Sequence, residues 1–188
     1  ATAWALLFLP FVRPLISGPT PLHLFEAPSP GSGKTLLATV LLRVSCGHRV
    51  HVRPVDGNDE EWRKRITSAI LGGMEAIVFD NVKGTVNSGA LEAALTSTMW
   101  TDRRLGQSQD LDLEITQCWA ATANNATFSP DLARRTVRCR LDPGMEDPAQ
   151  RDGFRHPNLL AYVDANRRML SENVWLIVRA WIEAGAPG

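Results

Sequence analysis

Residues 28–35 read Pro-Ser-Pro-Gly-Ser-Gly-Lys-Thr, one position away from the pattern G-x-x-x-x-G-K-[ST]. That pattern grips phosphate. Successive backbone N–H groups turn inward, a helix N-terminus stands behind them, a lysine reaches the β- and γ-phosphates, and a hydroxyl serves Mg²⁺. Here Lys34 and Thr35 fill the last two roles, and Ser29, Pro30, Gly31, Ser32, Gly33, Lys34, Thr35 and Leu36 form the candidate nucleotide-binding set. The departure is Pro28 in place of the first glycine. Proline holds φ near −65° and cannot take the positive φ that glycine permits, so the entry of the loop must differ while its binding end need not.

A phosphate loop does not by itself name a reaction. A metal-assisted phosphoryl transfer also needs an acid at the end of a buried strand. The run Glu75–Asn81, "EAIVFDN", supplies Asp80 as a metal ligand alongside Thr35. Asn81 follows where a base is useful; an asparagine can orient water but is a poor base. Glu26, Glu60, Glu61 and Glu114 are acids that could compensate. A polar sensor of the γ-phosphate is offered by "WAATANN": Asn124, with Asn125 as its rival. In "SPDLARRTVRCR", Arg134 and Arg135 stand between a short helix and a strand. Arginines so placed either pair with surface acids or reach a neighbour's nucleotide, where an arginine supplied in trans is worth roughly 10³–10⁵ in rate.

The elements that must carry these residues alternate. "PLHLFEAP" predicts a strand running into the loop, and "KTLLATVLLRVSCG" a helix stopped at Gly47. "HRVHVRPV" alternates as a strand does, and "NDEEWRKRITSAILGG" reads as a helix capped by Asn58 or Asp59. A buried parallel strand follows at "EAIVFDN", then a helix over "SGALEAALTSTMW", a polar hairpin over "DRRLGQSQDLDLEI", a strand at "QCWAATANN", a short helix at "SPDLARR" and a last strand at "TVRCRLD". This order predicts an α/β fold, a mainly parallel sheet with helices on both faces, over residues 1–142. Residues 151–188 predict a small helical subdomain, read as two helices.

Composition sets the outer limits. The chain has 188 residues, 44% of them hydrophobic and 21% charged, enough for one sizeable core. Formal net charge is zero, so nucleic-acid binding would have to come from local patches rather than bulk charge. The three cysteines, Cys46, Cys118 and Cys139, lack metal-ligand spacing and fit buried thiols in a reducing cytoplasm. The apolar opening, "ATAWALLFLPFVRPLI", is broken too early by Pro10, Arg13 and Pro14 to span a membrane, and it has no basic leader. The chain lacks an initiator methionine, which suggests a piece of a longer protein.

The loop "PGSGKT", the strand "AIVFDN", the sensor "ATANN" and the pair "LARR", followed by a helical tail, resemble an AAA+ P-loop ATPase. More narrowly, "PFVRPLISGPTPLHLFEAPSPGSGKTLLA", "EEWRKRITS", "FDNVKG", "DRRLG", "DLARRTVRCRLD" and "FRHPNLLAYVDANR" are similar to the superfamily III-like, primase-associated helicase modules of phage and mobile-element replication proteins. The resemblance implies ATP and Mg²⁺ as cofactors, a homo-oligomeric and often hexameric ring, and sites shared between neighbours. Lys34, Thr35, Asp80, Asn81 and Asn124 would act on one side of the joint, and Arg134 or Arg135 on the other. It implies single-stranded or forked DNA as a partner, a fused or partnered primase, and a C-terminal helical lid whose sensor could be Arg167, Arg168 or Arg179. Arg103 and Arg104 lie where such helicases insert a pore hairpin, and could meet DNA or a neighbour's nucleotide; Asp110, Asp112 and Glu114 beside them would repel phosphate. A non-hydrolysing nucleotide switch and a phosphotransferase are the competing readings.

Overall fold

The computed structural model describes residues 2–55, 58–103, 110–145 and 147–186. Five parallel strands form the central sheet, in the order β2 (Val50–Pro54), β3 (Ala76–Val82), β7 (Cys118–Ala123), β1 (Leu22–Glu26) and β9 (Thr136–Arg140). β1 and β7 are buried along their whole length, as strands covered on both faces must be. Helices supply the covers. α3 (Asp59–Leu71) and α4 (Gly89–Ala94) close one face, around Trp62, Ile66, Phe79 and Trp119. There the Trp62 ring meets the Phe79 ring edge-on at 4.7 Å. α2 (Lys34–Cys46) and α1 (Thr2–Val12) close the other face, around Phe25, Leu42, Val78 and Ala120. The expected α/β architecture is therefore present.

Local chemistry explains where the elements stop. The Asn58 side chain caps α3 by accepting from the Glu61 N–H at 3.3 Å, and three acids fill its first turn, where the helix dipole favours them. The helix expected through Trp100 ends instead at Ala94. Hydroxyls account for this: Thr96 Oγ1 donates to the Glu92 carbonyl at 2.7 Å and Ser97 Oγ to the Met99 carbonyl at 2.7 Å, competing with helical pairing. The chain then turns into β5 (Met99–Arg103), which pairs antiparallel with β6 (Asp110–Glu114) as the expected hairpin. Trp100 Nε1 donates to Thr67 Oγ1 at 2.8 Å, and Thr67 donates to Asp102, so the base of the hairpin is bonded to α3.

Three features were not expected. The apolar opening folds as α1, burying Leu6, Leu7, Leu9 and Phe11. A two-residue parallel pair, β4 (Thr85–Val86) with β8 (Thr127–Phe128), leads into α4 and α5 (Pro130–Arg134). The tail is one helix, α6 (Leu159–Glu183), rather than two. Its 25 residues contain neither glycine nor proline, so nothing breaks it. Among the described residues no helix is long and apolar enough to cross a membrane.

α6 lies against α1 and α2, packing Val163, Val174 and Val178 on Leu7, Phe11 and Val44. Polar contacts fix its register. Arg43 holds Asp164 through two hydrogen bonds, at 2.7 and 2.9 Å. Arg167 donates to the Val44 carbonyl at 3.2 Å and the Ser45 carbonyl at 2.5 Å, and Ser171 donates to Val44 at 2.7 Å. These are carbonyls that the end of α2 leaves without helical partners. The guanidinium fits because residue 47 is glycine: a Cβ there would stand 3.0 Å from it, at a φ of +58°. We expect Arg167→Ala to lower unfolding free energy by about 1–3 kcal/mol in urea titration, as the Ser45 carbonyl loses its side-chain partner while the Val44 carbonyl keeps only Ser171. Arg168→Ala, at a side chain 92% exposed, should stay within about 0.5 kcal/mol.

Candidate functional site

Because the strands are parallel, β1, β7 and β3 all end at one edge of the sheet, and the loop after β1 opens α2 above that edge. α2 starts at Lys34, so the N–H groups of its first turn lack helical acceptors and face the loop's concavity. The positive φ values fall at Gly31 (74°) and Gly33 (82°). Pro28 is an exposed residue ahead of both, so the missing first glycine is not needed for the turn.

Lys34 is buried within this loop. Its ammonium donates to the Ser29 carbonyl at 3.2 Å, Ser32 Oγ at 3.0 Å and Asn124 Oδ1 at 2.8 Å, so all three protons are engaged. Burial lowers its pKa from the ordinary lysine value, and the nearby Asp80 partly offsets this. Of the two rival asparagines, Asn124 is thus the one joined to Lys34. Asn125 is exposed, with a φ of +55°.

Thr35 donates from Oγ1 to Asp80 Oδ1 at 2.6 Å. Asp80 reaches this position through an irregularity in β3, whose register against β7 shifts between Phe79 and Val82. Asn81 occupies the shift with a φ of +56°. Asparagine tolerates that left-handed conformation better than most residues, which gives a backbone reason for its presence where a glutamate would suit a base.

Sequence reading missed Thr122. It is fully buried in β7, donates to Asp80 Oδ1 at 2.7 Å, accepts from the Asn81 N–H at 2.9 Å, and lies 3.5 Å from the Thr35 hydroxyl. The signal was present in "WAATANN": a threonine two residues before Asn124 must face the same way as that asparagine.

The remaining candidates lie elsewhere. Arg134 pairs with Asp131 on α5 and is 72% exposed, and Arg135 donates to the Asp131 carbonyl at 2.8 Å. Neither touches Lys34, Asp80 or Asn124. Glu26 ends β1, 3.9 Å from Arg138. Glu60 and Glu61 pair with Lys64 on α3, and Glu114 is exposed on β6. Arg103 closes β5 opposite Asp110, while Arg104 falls outside the described residues. Arg167 grips the far end of α2, about 20 Å along the helix from the loop. Arg168 and Arg179 pair with Glu172 and Glu183 on exposed turns of α6.

The donor set suits Mg²⁺ bound with a nucleotide. Among the described residues no group of three or more His, Cys, Asp or Glu could hold a metal by itself. Thr35 and Asp80 offer two hard oxygens side by side. Mg²⁺ takes one or two protein oxygens and completes its octahedron with phosphate and water, so this sparse pair fits it better than an all-protein cage would.

The fold has solved counterparts. The chain is similar to JCV helicase bound to a small thiazolopyridine-containing acetamide, with a TM-score of 0.51 and 22% identity over 96% of this chain and 53% of that one. A second JCV helicase structure matches with a TM-score of 0.44 and 21% identity, over 96% and 52%. The chain thus spans about half the length of these helicase chains, and shares the fold of the first. Comparisons with protein-family models and with curated proteins returned no match.

Thr122 generates a direct test. Thr122→Val keeps the shape but removes the donor to Asp80. We expect Mg²⁺-dependent ATP affinity, measured by calorimetry, to fall about 10- to 100-fold while Mg²⁺-independent binding changes little. Thr122→Ser should restore most of the loss.

Proposed function

We propose that this chain is the motor domain of an Mg²⁺-dependent ATPase, working as a DNA helicase or translocase in a homo-oligomeric ring. The observation that carries this reading is the single hydrogen-bonded cluster joining Lys34 and Thr35, at the start of α2, to Asp80 on β3 and to Asn124 just past the end of β7. A phosphate loop serving only to hold a ligand needs no sensor bonded to its lysine. The fold shared with JCV helicase supports the same reading.

In this proposal the backbone N–H groups of residues 31–35 hold the β-phosphate. Lys34 exchanges its bonds to Ser29 and Ser32 for phosphate oxygens and stays linked to Asn124, which thereby registers whether a γ-phosphate is present. Thr35 and Asp80 hold Mg²⁺, which when bound neutralises charge on the β- and γ-oxygens. Thr122 keeps the Asp80 carboxylate aimed. Arg134 and Arg135, exposed on α5, serve the neighbouring subunit's nucleotide. Arg103 and Arg104 serve DNA. A primase fused to or partnered with the ring belongs to the same proposal.

One observation favours a second reading, a nucleotide switch that hydrolyses little. Among the described residues Asp80 is the only carboxylate hydrogen-bonded in the cluster, and it is occupied by Thr35 and Thr122. Turnover measured against protein concentration, with and without single-stranded DNA, separates the two. The motor reading expects turnover that rises steeply with concentration and with DNA. It should be abolished in Lys34→Ala and reduced about 10³-fold or more in the Arg134→Ala/Arg135→Ala double variant. Nucleotide binding with flat, negligible turnover at every concentration would establish the switch instead.

A further inference from the structure

The outer edge of the sheet holds a second group of cations that the proposed motor does not use. β2 is an edge strand, and His51 and Arg53 pair in register with Ile77 and Phe79 of β3. Alternation places His51 and Arg53 on one face, and it is the face covered by α3, because Ile77 and Phe79 belong to the core beneath that helix. Between β2 and α3 lies an open pocket of about 170 Å³. Arg53, Lys64 and Arg65 bring three fixed positive charges to its wall, with His51 and Ser68 as further hydrogen-bonding groups. Among the described lining residues the single acid is Glu61, which pairs with Lys64 at 3.3 Å, as does Glu60 from outside the pocket at 3.0 Å.

The arginines are unspent. Arg65 Nε is buried without a hydrogen-bond partner, and among the described residues neither Arg53 nor Arg65 is in an ion pair. A buried guanidinium N–H with no acceptor costs stability that a bound anion would recover. Burial first, and then the Arg53 charge, hold the His51 pKa below its ordinary value. The volume admits a phosphate group with room to spare, and forked guanidinium groups match phosphate oxygens better than they match halide.

We propose that this pocket is a second phosphate-binding site, for the phosphate ester of a nucleotide unit, distinct from the loop at Lys34. It lies on the opposite face of the sheet from α2 and three strands from β1, about 14 Å away across the sheet. The phosphate can come from a nucleic-acid strand passing the sheet edge or from a free nucleotide. Charged side chains also keep exposed edge strands from pairing with other chains, but that role needs no ligand and no unpartnered donor on the inner wall.

The test uses the Lys34→Ala chain, so that failure of the loop reading and failure of this one are separable. Inorganic phosphate is titrated at constant ionic strength against chloride, with the His51 ring and the Arg53 and Arg65 Nε–H resonances followed by NMR. Saturable shifts with phosphate and not with chloride are expected, weakened about tenfold or more in Arg53→Gln/Arg65→Gln with an unchanged far-UV spectrum. Thymidine monophosphate and a short oligothymidylate then identify the source. If the strand is the source, the oligonucleotide binds tighter, and its salt slope falls by about 0.7 for each arginine removed. Equal affinities and equal slopes identify the free nucleotide. If none of the three probes moves these resonances, or if chloride moves them equally, the pocket binds no phosphate and the proposal is wrong.

Discussion

The position of β7 between β1 and β3 is the constraint on which the site depends. Strands lie about 4.8 Å apart, so the loop strand and the Asp80 strand are separated by roughly 10 Å. Neither Lys34 nor Thr35 could be held in register with Asp80 across an empty gap of that width. β7 fills it, presenting Thr122 from the strand and Asn124 from the first residue beyond its end. Asn124 takes the lysine, and Thr122 takes the aspartate and the Asn81 N–H. One buried strand thus converts two separate chain ends into a single polar network, in which each bond restrains the next.

The same network changes what Asn81 means. Read as chemistry, an asparagine after Asp80 is a weak replacement for an acid. Read as backbone, it is a residue suited to a φ of +56° at an irregularity that turns Asp80 toward Thr35. A glutamate there would bear the strain of the left-handed region, a cost of order 1 kcal/mol. The geometry of β3 therefore restricts which residue can follow Asp80.

Much of this was legible in the chain because phosphate loops and buried parallel strands have short, dense signatures. Lys34, Thr35, Asp80 and Asn124 came together as spacing and residue type suggested, and the alternation of strands and helices gave the layered sheet. What escaped did so for physical reasons. Thr122 looked like one more β-branched residue in a strand that is buried throughout, and only the register shows which face it shares. α1 is apolar on every side and interrupted by Pro10, so it carried no helical periodicity. β4 and β8 are two residues each, too short for any pattern. The helix thought to reach Trp100 was cut short by hydroxyls returning to their own backbone. The break imagined in the tail had no residue to make it.

Gly31 lies directly against the turn at Pro148–Gln150: a Cβ on it would stand 2.9 Å from the Ala149 Cβ and 3.0 Å from the Ala149 nitrogen. A few residues later the same stretch of chain becomes α6, whose Arg167 and Ser171 hold the opposite end of α2. The helix behind the phosphate loop is therefore spanned lengthwise like a beam in a vice, one jaw at each end and both jaws cut from one continuous segment. Anything that expands the loop presses on a turn already in contact with it. The turn against Gly31 and the side chains that hold Val44 and Ser45 belong to one segment, so both ends of α2 are braced by the same stretch of chain.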